Sequence, residues 1–167
     1  MPRAVDPTLY GPPASTLEIL LDDPAEHDIP APERVLAGLT AEQAVTVPPS
    51  LPYSVARIVA HMNSNMMFNL GLIRAANPLT YDEELEDWPA VTAADWPRLV
   101  AQFLSNLAHL KQLARQQQDL ERVLYPAADG QAAWTVGYKL ALSVAKHNAY
   151  HLGQIIVIRR LLGFWEG

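Results

Sequence analysis

"LALSVAKHNAYHLGQIIVIRRLL", residues 140–162, is the stretch on which the fold turns. Leu140, Val144, His147, His151, Gln154 or Ile155, Ile158 and Leu162 recur every three or four residues, which is the period of one face of an α-helix. The spacing predicts a helix from about Thr135 to Gly163. Its inward face is apolar except for two histidines. Being four residues apart, they leave the helix one turn apart, about 6 Å along the axis. Two imidazole nitrogens so placed can meet on one ion. Two core histidines, each hydrogen-bonded on its own, fit the same spacing, and the spacing alone does not choose between them.

Working outward, a second helix is predicted from an N-cap at Ser54 to about Ala76, ended by Asn77-Pro78. Its stripe is Ile58, His61, Asn65, Phe68 and Leu72. A third begins near Asp95, with Pro97 in its first turn, and runs to about Gln118 through Leu99, Phe103, Leu107, Leu110 and Leu113 or Ala114. Upstream the signals are shorter. Residues 1–13 read as an irregular arm. "STLEILLDD" is a short helix capped by Ser15 or Thr16 and stopped by Pro24, and "APERVLAGL" is another, ended near Gly38. Thr40 and Gln43 form a capping-box pattern, and "VPPSLP" at 47–52 breaks the chain. Residues 78–94 are acidic and interrupted by Pro89, a long connection that could cross the bundle, cover one end or join an interface. "YPAADGQAA" reads as a loop. With no sustained alternation and no hairpin dipeptide, no strand is expected. The predicted fold class is all-α: a four-helix bundle with a broken first helix and a long connection between helices two and three, one domain over 1–167.

Composition bounds the chemistry. The 167 residues are 50% hydrophobic and 18% charged, an ordinary balance for a soluble globular protein. There is no cysteine, so disulfides and thiolate metal sites are excluded, and thiol chemistry needs a thiol from outside. Any metal must sit on His, Asp, Glu or backbone oxygen, which suits zinc, nickel, manganese or iron. A formal net charge of −6 lacks the footprint of a nucleic-acid binder. No apolar run reaches membrane-span length and "MPRAVDPTLYGPP" has no signal-peptide core, so no membrane and a cytoplasmic location are expected.

His61 supplies a third imidazole on a second inward stripe. Three imidazoles from two facing helices make a three-ligand site with one position open. Their outer nitrogens need acceptors, for which backbone carbonyls, Asn65, Asn148 and Gln154 are candidates. A metalloprotease is rejected: Asn148 stands where a zincin carries its glutamate base, and an amide takes no proton at neutral pH. No Asp or Glu occurs in 54–76 or 135–163, so no catalytic base is identified on the ligand helices. Tyr150 is read as a packing residue and His27 and His109 as surface or loop histidines. Met62, Met66 and Met67 are read as filler, and Arg159-Arg160 as suited to the helix dipole. The acidic run 82–87 is read as a solvated loop. The four tryptophans, Trp88, Trp96, Trp134 and Trp165, are read as end packing or dimer contacts.

"YSVARIVAHMNSN" at 53–65 and "HNAYHLGQIIVIRRLLG" at 147–163, with "LAGLTAEQA" at 36–44, resemble the DinB-like superfamily of metal-dependent four-helix bundles. The tail pattern H-x-x-x-H-x-G-Q is the most specific part, because Gly153 and Gln154 match as well as the histidines. The resemblance implies a divalent metal on His61, His147 and His151, with zinc or nickel ahead of manganese or iron. It implies a small-molecule substrate, a homodimer and, from the family's damage-inducible name, a stress response. Members resemble bacillithiol- and mycothiol-dependent S-transferases and mycothiol-dependent maleylpyruvate isomerases. The expected function is therefore a metal-dependent, thiol S-transferase-like enzyme using a low-molecular-weight thiol. A metal-dependent hydrolase and a non-catalytic small-molecule-binding or structural metal-containing dimer are the alternatives. The chain departs from the family in its short, proline-broken first helix.

Overall fold

The computed structural model describes residues 13–23, 26, 29–128, 130 and 132–165. In chain order the N-terminal helices are α1 (Pro13–Leu21), α2 (Pro32–Leu36), α3 (Ala41–Val45) and α4 (Val55–Arg74). Helix α1 starts at Pro13, ahead of the expected cap at Ser15 or Thr16, because proline is tolerated in a first turn whose N–H groups are unpaired anyway. The expected stop at Pro24 and the arm up to residue 12 lie outside the described residues. The capping box forms as expected: Thr40 Oγ1 accepts from the Gln43 N–H at 3.2 Å, and Gln43 Oε1 accepts from the Thr40 N–H at 3.0 Å. Ser54 caps α4 by accepting from the Arg57 N–H at 3.3 Å. Ala75 turns extended and ends that helix at Arg74, two residues short of Ala76.

Helix α5 (Trp96–Arg115) stops before Gln118, because Gln116 leaves helical geometry at ψ 71° and a single turn, α6 (Gln117–Leu120), restarts behind it. The absence of strands is overturned. Strand β1 (Val123–Tyr125) pairs antiparallel with β2 (Trp134–Thr135), irregularly, through Val123–Thr135 and Tyr125–Trp134. The strands have three and two residues, too few for alternation to register, and their β-branched and aromatic side chains were the remaining signal.

The last long helix keeps its expected span but not its regularity. It comprises α7 (Val136–Lys139), a π-helical turn (Leu140–Ala145) and α8 (Lys146–Leu161). Gly163 closes it at φ 73°: its N–H reaches Arg160 O at 3.1 Å, and the Phe164 N–H reaches back to Arg159 O at 2.7 Å. That bond pair is a Schellman stop, in which glycine takes the left-handed position without a Cβ clash.

Four helical segments close a ring. Helix α4 packs on α5 and on α8, and α1 packs on α5 and on the π turn. The interior is filled by Phe103, Ile58, Met62, Met66, Leu110, Leu140 and Ile155, all at 0% exposure, each stabilising the fold by about 1.5–3 kcal/mol. Buried Asn63 ties α4 to α5 by donating to Leu99 O at 3.0 Å and accepting from Asn106 at 3.3 Å. Among the described residues no helix is long and apolar enough to cross a membrane.

Candidate metal centre

His61 leaves the second turn of α4, and His147 and His151 leave the first turns of α8. The two inward stripes bring them together. Ring centroids are 4.9 Å apart for His61 and His147, 4.8 Å for His61 and His151, and 4.4 Å for His147 and His151. One ligand atom from each lies within 4.8 Å of the others. The Nε2 atoms of His61 and His147 are 3.0 Å apart. Two nitrogens on one tetrahedral zinc at its usual bond length lie roughly 3.4 Å apart, so this pair is already near coordination spacing.

The outer partners fix the tautomers. His61 Nδ1 lies 2.7 Å from the carbonyl oxygen of Asp87, which only accepts, so Nδ1 carries the proton and the Nε2 lone pair points inward. The Asp87 carboxylate adds a second contact at 3.0 Å. His151 Nδ1 donates to Gln154 Oε1 at 2.7 Å, and the Gln154 amide in turn donates to the Tyr150 hydroxyl at 3.0 Å. His151 Nε2 is thereby freed as a second lone pair. His147 differs: to hydrogen-bond His61 it must carry its proton on Nε2, which strands its buried Nδ1 without a partner. The buried Asn148 Oδ1 is also unpartnered. The three rings could hold a divalent ion, for which His147 would carry its proton on Nδ1 instead of Nε2.

Burial, with the neighbouring His151 and His61, pushes His147 down to about 4, against smaller upward pulls from Asn148 and Asp87. His151 is also lowered, again chiefly by burial. Neutral imidazole is the form that binds metal.

The long connection covers this cluster, one of the three roles open to it. Trp88 stacks on His61 with centroids 3.9 Å apart and planes 3° from parallel, and Tyr53 stacks on Trp88 in turn at 5.5 Å. Tyr81 pins the connection to α4. Its ring lies 5.4 Å from Phe68, its hydroxyl bonds Glu83, and it occupies the space a Cβ on Gly71 would need. A cavity of 660 Å³, lined by Ser64, Asn65 and Phe68 and by residues 83–87, adjoins the cluster at Asp87.

Of the candidate partners, Gln154 touches a histidine. Asn148 donates to Met66 Sδ at 3.4 Å and makes no formed bond to His147. Asn65 lines the cavity and accepts from Asn69 at 3.3 Å. Tyr150 is not a packing residue: it is 64% exposed and its hydroxyl steadies Gln154. Trp88 covers the histidines rather than a bundle end. His109 is exposed as expected, and His27 lies outside the described residues. Sequence reading missed Asp87 and Trp88. Asp87 is 26 residues from His61 on a loop, where no periodicity links them.

The sequence profile of the DinB superfamily matches residues 31–155, well over half of the chain and inclusive of all three histidines. No curated protein matches the chain, and no solved structure does.

Proposed function

The chain belongs to the DinB superfamily, and from that premise we propose that it is a metal-dependent enzyme whose His61, His147 and His151 hold one divalent ion, zinc or nickel first. The observation that carries this reading is the tautomer pattern: His61 and His151 each have the outer nitrogen anchored as a donor and the inner one left as an acceptor, within reach of His147. A divalent ion with three imidazole ligands supplies a Lewis acid with one open position and lowers the pKa of a thiol or a water there. Asp87 and Gln154 orient two of the ligand rings. Trp88 excludes water from one side of His61, and the adjoining cavity has room for a small molecule.

The favoured reaction is S-transfer. The chain has no cysteine, so a low-molecular-weight thiol would be a co-substrate. Its proton goes to solvent, its sulfur forms a bond to an electrophilic carbon, and the leaving group departs with the bonding pair. Hydrolysis is the second reading and uses water in place of the thiol. Exposed Tyr150, Val157 and Leu161 on the outer face of α8 support a homodimer, to be checked by mass in solution.

Protein purified without chelator is expected to carry about one divalent ion per chain, and zinc or nickel is expected to raise the Tm of stripped protein. Absence of both effects would sink the metal reading. Electrophile consumption only with added thiol selects S-transfer, and consumption without it selects hydrolysis. Metal bound with neither activity leaves a structural or ligand-binding metal centre.

A further inference from the structure

We propose a second site, for a small molecule bearing a carboxylate or phosphate oxyanion, in the pocket between α2 and the Schellman turn of α8. Its anchor is Arg159, a guanidinium 6% exposed. Arg159 donates to Val35 O at 2.5 Å and twice to Phe164 O, at 3.1 and 2.9 Å. These carbonyls occupy three of its five N–H groups and bring no formal charge. Among the described residues no carboxylate pairs with it.

A second arginine stands close by. The Trp165 ring has the Arg159 guanidinium 4.9 Å from its centroid and the Arg34 guanidinium at 6.0 Å. Arg34 is paired with Glu26 at 2.5 Å. Among the described residues, two guanidiniums against one carboxylate leave a surplus of one positive charge.

The cavity beside them measures 390 Å³ and is walled by Arg34, Gly38, Gln43, Arg159, Phe164 and Trp165, with no acidic side chain among the described residues of its lining. The free polar groups of its side chains are donors. Arg159 keeps two N–H groups. Gln43 has its oxygen engaged by the Thr40 N–H, which leaves its amide NH₂. A wall of donors with a surplus positive charge selects an acceptor-only, negatively charged ligand, and a guanidinium fork matches the two oxygens of a carboxylate or phosphate. The volume lies in the range of small-molecule sites, and the Trp165 and Phe164 rings offer the ligand's body an apolar wall. Arg159 lies eight residues beyond His151, about 12 Å along α8, so this site stands apart from the histidines.

The test is titration of the full chain with inorganic phosphate and, separately, acetate, each against sodium chloride at matched ionic strength, read by calorimetry and by Tm. A saturable response to one oxyanion, absent with chloride, is expected, and the responding arm identifies the headgroup. Arg34→Gln, at a half-exposed position where folding is not at stake, is expected to weaken it about fivefold. Arg159→Lys keeps the charge, loses the fork and is expected to weaken it more. Glu166→Gln removes an acidic neighbour of Trp165 in sequence and is expected to leave binding intact or tighten it. No saturable response in either the wild type or Glu166→Gln overturns the proposal, as does an affinity unchanged by Arg34→Gln.

Discussion

The two ends of α8 pose opposite electrostatic problems. At its start, three buried or half-buried imidazoles crowd together, two of them with a lone pair turned inward, and among the described residues no cationic side chain meets them. At its finish, a buried guanidinium is met by carbonyl oxygens and, among the described residues, by no carboxylate. The finish is held by the backbone itself, because the Schellman turn folds Phe164 O back under Arg159. The start has no comparable device, since imidazole nitrogens a turn apart cannot all be satisfied by one another. A helix can therefore store a buried charge safely where its own terminus supplies carbonyls. Away from such a terminus, the same burial leaves ring nitrogens that neighbouring groups do not all satisfy.

The largest effect that could break this contrast is at the start. His151→Ala is expected to lower zinc affinity by roughly a thousandfold, measured by competition with a chromophoric chelator. An unchanged affinity would mean the imidazoles do not act as one site. At the finish, Arg159→Leu strips the donors from Val35 O and Phe164 O and is expected to cost about 3 kcal/mol in denaturant unfolding, with or without metal. If that loss vanished in metal-free protein, the two ends would not be independent. Next, Gln154→Ala unties the His151 ring and is expected to weaken zinc binding about tenfold, with little change in metal-free stability.

The smallest effect is a pH dependence of the metal-free chain, small because His147 is only half-buried. His147 sits at about 4 in the fold against its ordinary 6.5, facing His61, His151 and Asp87. The unfolded chain binds the extra proton first, so stability is full above about 6.5 and is lost as pH falls toward 4. Arg159, charged throughout, should add no slope there. Thermal melts of stripped protein across that window test this, and flat Tm values would contradict it.

The legible part of the molecule is the part written in helical period. Ile58, His61 and Leu72 on α4, and Val144, His147, His151 and Ile155 on the last helix, all lie on the faces their spacing assigned, and the Ser54 and Thr40 caps form where their residue types placed them. What escaped is tertiary. Asp87 and Trp88 reach His61 only because Tyr81 seats the connection over Gly71, a contact no local pattern encodes. Arg159 read only as a charge suited to the helix dipole, because its burial depends on a turn that follows it. The hairpin was too short to alternate. The π turn was invisible because "LALSVA" satisfies an α-helical period as well as a wider one.

That π turn sets an angle. One extra residue in a turn rotates everything downstream by about 100° relative to everything upstream. The turn packs on both α1 and α4, and α8 behind it carries His147 and His151 toward α4. The turn works as a phase shifter, setting the bearing of the half of the helix that carries the histidines relative to the half upstream of it.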